Sequence, residues 1–143
     1  MLSKSNLISA LVTAAWAYFG GWLLWGMVGD QMMDGHMLTE GLMRADDQID
    51  MVHLIIGSLV VGFFFSGIYR KYGQSNYGAS SGFLYGVLIG LLIGLGEGLV
   101  NYAVMNMTDI TGVFINAVIY MVFYGIMGLL AGLIYQKTAP KVA

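Results

Sequence analysis

Residues 82–107 read GFLYGVLIGLLIGLGEGLVNYAVMNM, and the reading of this stretch decides the fold. A helix that crosses a bilayer needs about 20 mainly apolar residues. The stretch supplies them, with Glu97 as its single charged side chain. Gly82, Gly86, Gly90, Gly94 and Gly98 recur every fourth residue and form a small-residue stripe. In lipid such a stripe lets two backbones approach, so one face of this helix packs against another helix. Gly125, Gly128 and Gly132 form a shorter version further along the chain.

Three more stretches pass the same test: Leu7 to Gly29, Met51 to Tyr69, and Ile110 to Tyr135. All are apolar on every face, without the alternation of a membrane β-barrel. The composition agrees, because 58% of the 143 residues are hydrophobic and 10% are charged, whereas a soluble domain carries about 25% charged residues. The expectation is one all-α integral membrane domain, an antiparallel bundle of four transmembrane helices. Segment one has a signal-like start, Lys4 followed by an apolar run and Ala15-Trp16-Ala17. The run continues through Gly29, too long for a signal core, and is read as a retained span.

Orientation follows from the basic residues, which short cytoplasmic loops retain. Lys4, Arg70, Lys71, Lys137 and Lys141 fall on one side. The loop 30–50 holds Arg44 against Asp30, Asp34, Glu40, Asp46, Asp47 and Asp50, and the turn before span four holds Asp109. Both termini are therefore expected in the cytoplasm and the acidic loop outside. Trp22, Trp25 and Tyr102 would form the outer aromatic belt, and Tyr69, Tyr72, Tyr77 and Tyr135 the inner one. Leu38 and Leu42, four apart, predict a short amphipathic helix over Met37–Met43. Asp46 or Asp47 would cap span two. The inner segment 71–81 reads as a Gly/Ser/Asn linker.

Glu97 is the candidate functional residue, because an unpaired intramembrane carboxylate costs several kcal/mol and marks function by default. Counting back from Met107 puts it near mid-membrane. Asn101 follows on the same face, Asn116 enters from span four, and His53 sits at the outer mouth of span two. These four are expected to converge as a proton or cation path, or as interhelical hydrogen-bonding glue. Tyr120 and Tyr124, four apart, read as packing residues. His36 with Met32, Met33 and Met37 offers thioether and imidazole groups of the kind that suit copper(I), but without the repeated spacing of a committed metal site.

Other chemistry is excluded. There is no Cys and no phosphate-binding loop, nucleophile elbow or His-Glu-x-x-His motif. No lysine within a span could form a retinal Schiff base, and one intramembrane His cannot ligate haem across two helices. With six basic residues and a net charge of −2, nucleic-acid binding by a basic stripe is excluded. No enzyme activity and no cofactor are expected.

Gly20 to Gly26, rich in Gly and Trp, and Leu99-Val100-Asn101-Tyr102 at the end of the glycine-rich third span resemble a bacterial family of four-span membrane proteins of unknown function. That resemblance implies a multi-pass protein of the bacterial inner membrane. Tyr18-Phe19-Gly20-Gly21-Trp22 is similar to part of the first span of small multidrug resistance transporters. Their essential acid lies in span one, whereas the acid here is Glu97 in span three, so their mechanism does not carry over. Fluoride channels share the size without their motifs. The sequence thus predicts a non-catalytic accessory or scaffold subunit that packs through glycine faces with itself, as a homo-oligomer, or with other membrane subunits. The alternative is a small homo-oligomeric proton- or cation-coupled transporter or channel using Glu97.

Overall fold

The structure, a computed structural model, describes residues 3–42 and 44–140, with Asp46 described by its backbone alone. It contains four helices long and apolar enough to cross a membrane: α1 Lys4–Met33, α2 Met51–Gly73, α3 Ala79–Val104 and α4 Ile110–Thr138. Three of the four starts carry a side-chain cap, and α3, which follows Gly78, has none. Ser3 accepts from the Asn6 amide at 3.3 Å, Asp50 from the His53 amide at 3.1 Å, and Asp109 from the Gly112 amide at 2.7 Å. These side chains satisfy donors that a helix start leaves unpaired. The cap of α2 is thus Asp50; Asp47 and the Asp46 backbone lie in a 3-10 turn, Asp46–Gln48, before it.

Most helices exceed the predicted spans at their ends because polar residues there continue the backbone ladder. α3 instead stops at Val104, and Met105 is extended. Its following segment pairs with the long loop: the Leu38 amide donates to Met107 O at 2.9 Å and the Asp109 amide to His36 O at 3.0 Å. Thr39 Oγ1 adds a bond to Asn106 O. Backbone groups committed to this antiparallel bridge are unavailable to a helix, so the predicted amphipathic helix over Met37–Met43 is absent over its described residues; Met43 lies outside them. Gly35, at φ 78°, supplies the left-handed turn that brings the strap back over the bundle.

The helices pack as two close pairs. α3 lies on α4 through its stripe: Gly82 faces the backbone of Gly128, Gly86 faces Tyr124 and Gly125, and a methyl on Gly90 would come within 2.6 Å of Tyr120 O. α1 lies on α2 at Gly62, where an added Cβ would sit 2.5 Å from Ala10 O, and Thr13 Oγ1 donates to Gly62 O at 3.2 Å. The Trp16 indole joins the pairs, donating to Phe123 O at 2.9 Å.

The best-packed region lies toward the end that carries the start of α1, the end of α4 and most of the described basic residues, called here the basic end. Tyr69 and Tyr135, expected in an interfacial belt, are instead core residues, 0% and 1% exposed. Their hydroxyls explain the difference. Tyr135 Oη donates to Asn6 Oδ1 at 2.7 Å, Ser66 Oγ donates to the same oxygen at 3.0 Å, and Tyr69 Oη pairs with Ser81 Oγ at 2.9 Å. Buried hydroxyls with partners are tolerated where unpaired ones are not.

Candidate functional site

Away from this core the bundle opens. α1 runs on from Tyr18 to Met33, about 20 Å at the helical rise, whereas α2 begins at Met51, whose sulfur meets Tyr18 Oη at 3.8 Å. The backbone of α2 comes near none of Trp22–Gly29, Leu92–Glu97 or Gly98–Val104. Residues 51–57 of α2 are exposed on every face. At this acidic end the other three helices form walls around a side that α2 does not cover.

Two of those walls change their winding there. Trp22–Gly29 in α1 and Leu92–Glu97 in α3 are π-helical, a local widening found frequently at functional sites. In α3 the widening rotates the residues after it away from the stripe. Gly98 consequently has only Val113 Cγ1 nearby, at 3.3 Å from an added Cβ.

Glu97 closes the π segment and is exposed. It lies about 10 Å from the end of α3 and makes no hydrogen bond or ion pair among the described residues. One turn earlier, a Cβ added at Gly94 would lie 2.8 Å from Tyr120 Cβ, so Tyr120 packs directly against this part of α3. The Tyr120 and Tyr124 rings stack at 6.1 Å, and Trp25 meets Tyr120 edge-on at 4.8 Å and Phe123 at 5.1 Å. An exposed acid one turn from an aromatic cluster is the arrangement the structure offers.

The four polar residues singled out in the sequence do not converge. Asn101 is half-buried on the turn after Glu97. Asn116 Oδ1 accepts from Trp25 Nε1 at 2.9 Å, which draws Trp25 inward from its expected belt position; Trp22 remains outward at 66% exposure. His53 is exposed and its Nδ1 pairs with Asp50 at 2.7 Å, on the helix that never approaches Glu97. Trp25→Phe removes the indole donor and should lower stability by about 1 kcal/mol, measured by unfolding in mixed micelles. Asn116→Ala in the Trp25→Phe background should then add less than it does alone.

The methionine-histidine run is part of the strap. His36 Nδ1 bonds Asp109 Oδ2 at 2.8 Å, and Met33 and His36 both pack on Gly112. Met32 and Met37 are exposed. Among the described residues no three His, Cys, Asp or Glu side chains are grouped to hold a metal ion.

The hydrogen bond from the His36 ring, followed by that from the Gly112 amide, holds the Asp109 carboxyl below its ordinary value of 3.8. A carboxyl depressed on folding stabilises above its unfolded pKa, and that contribution is lost as pH falls through the folded value. Carboxyl NMR should therefore show Asp109 titrating below pH 3.8, with the strap loosening over the same acidic window. His36→Ala should move the titration back up toward that value.

The sequence reading missed the polar seam of α1. Ser5, Asn6, Ser9 and Thr13 are all buried, and the signal was present in their three- and four-residue spacing. Ser5 Oγ donates to Thr138 O at 2.8 Å, tying the chain ends together, while Ser9 Oγ has no partner among the described residues. An apolar groove of about 330 Å³ lies between α1 and α2, lined by Leu11, Ala14, Tyr18, Ile55 and Leu59 among others. Its lining is almost wholly apolar.

Comparison with protein-family models, curated proteins and solved structures finds no match. Four apolar helices make this a multi-pass membrane protein by length and composition.

Proposed function

We propose that this chain is a non-catalytic accessory subunit of the bacterial inner membrane, with both termini cytoplasmic, that docks other membrane helices. The observation carrying this reading is the uncovered side at the acidic end. There α2 contributes no wall, residues 51–57 are bare, and an acid faces outward. The glycine stripe of α3 is not the docking face that the sequence suggests. Its faces are occupied by α4 within the chain, so docking falls to the open side.

Charge supports the orientation. Four of the five bases at the termini and after α2, Lys4, Arg70, Lys71 and Lys137, cluster at the basic end among the described residues, and positive charge stays cytoplasmic. Purification of the tagged chain from native membranes in mild detergent, with mass determination of the intact particle, tests the reading. Stoichiometric foreign subunits are expected; a particle made only of this chain would contradict it.

The position of Glu97 on the open side also favours a second reading, a small homo-oligomeric proton- or cation-coupled transporter. Vesicles containing this chain alone separate the two. Proton-coupled flux that disappears in Glu97→Gln belongs to the second reading only.

A further inference from the structure

The open side has a chemical polarity that specifies what covers it. Glu97 is the only charged residue within the apolar part of α3, and the apolar stretches 7–29, 51–69, 82–107 and 110–135 hold no Lys or Arg. One turn before Glu97, Gly94 lies against Tyr120, whose half-buried ring meets Trp25 edge-on and stacks on Tyr124, itself stacked on Phe65 of α2. Aromatic rings one turn from a carboxylate favour a cation, through the ring quadrupole and the ion pair together.

Three occupants can be compared. A wholly apolar helix would cover the cluster and leave Glu97 without a partner, at a cost of several kcal/mol if it is charged. A second copy meeting this one through the same face, as in a two-fold dimer, would bring Glu97 against Glu97 and one acidic end against another. All eight Asp and Glu of the sequence fall in 30–50, at Glu97 or at Asp109, with Arg44 as the one Lys or Arg among them, and like charges at close range oppose assembly. A helix carrying one Lys or Arg at the level of Glu97 meets both the acid and the rings. It leaves neither charge unpaired.

We infer that the open side beside Glu97 receives a transmembrane helix of a different protein, and that this helix presents a Lys or Arg to Glu97 and the Trp25–Tyr120 cluster. The inference rests on the docking reading above and adds the position and the charge of the partner. Its cation would enter the place that α2 leaves free, where both π segments widen their helices.

The test uses the full chain in phosphatidylcholine vesicles with synthetic Leu/Ala transmembrane peptides of about 20 residues. One peptide carries a single Lys in the part of the span that matches Glu97, and the others carry Gln or Glu there. The chain lacks Cys, so one introduced thiol at the basic end accepts a fluorophore for energy transfer. The Lys peptide should bind about tenfold more tightly than the Gln peptide. Glu97→Gln should reduce that preference to within about twofold, and Glu97→Lys should reverse it in favour of the Glu peptide, each variant retaining wild-type helicity. Equal binding of the Lys and Gln peptides to the wild type would overturn the inference while leaving helix docking intact. No peptide binding, together with strong energy transfer between copies of this chain, would overturn both.

Discussion

Replacing Gly90 by leucine will unfold the α3–α4 pair at lower denaturant, with a loss of about 3 kcal/mol. The reason is geometric. Even the first carbon of a side chain there would lie 2.6 Å from Tyr120 O and 2.7 Å from Met121 Cα, both backbone atoms of α4. Backbone cannot move aside as a flexible side chain can, so the helices must separate and lose the contacts on either side. Gly96→Leu is the control. Its nearest atom is Leu91 O at 3.9 Å, in ordinary contact, so this variant should keep the stability of the wild type to within about 0.5 kcal/mol. Sodium dodecyl sulfate titration in mixed micelles, followed by circular dichroism, reads both. Equal losses for the two would mean that the α3 stripe is not buried against α4.

Asn6→Ala carries the second large effect, a loss of about 2 kcal/mol. The Asn6 side-chain oxygen accepts from both Tyr135 and Ser66, and all three residues are at most 1% exposed. Removing it takes the acceptor from two buried hydroxyls at once. Tyr135 Oη also lies 3.2 Å from Ser66 O, which offers one hydroxyl a second acceptor and keeps the loss from growing larger. Tyr135→Phe should cost about 1 kcal/mol, and the double variant should cost less than the two losses added. Additive losses would show that Asn6 and Tyr135 do not share a bond.

These two sites also show what the sequence makes legible. Glycine at every fourth position of an apolar run says that a helix will be approached closely, and α3 is so approached. It does not say by which helix, because a stripe specifies a distance and not a partner. The four spans are legible because length and hydropathy are local properties. The polar seam at the start of α1 reads as an ordinary helix beginning until Ser66 and Tyr135 are seen opposite Asn6. Those contacts join positions 60 and 129 residues apart.

The same limit governs the acidic end. Glu97 is visible as an anomaly in an apolar run, and α3 ends at Val104 and not at the expected Met107. Convergence with His53 fails because Asp50 both caps α2 and holds the ring of His53. His36 goes to Asp109, 73 residues away, through a strap that periodicity cannot reveal. The absence of α2 from the acidic end depends on how the helices are staggered, and stagger is set by side-chain fit along Gly62 and Ala10.

Docking of other membrane helices at the acidic end requires residues 51–57 of α2 and the open side beside them to be covered by another protein. Photocrosslinking in native membranes tests this most directly. The chain has no Cys, so a benzophenone can be placed on a single Cys at Leu54, which is 43% exposed, and for comparison at Ala131, which is 0% exposed. A foreign protein adduct of one defined mass is expected from position 54, and adducts within the chain alone from position 131. Adducts at position 54 confined to lipid or to a second copy of this chain would contradict it.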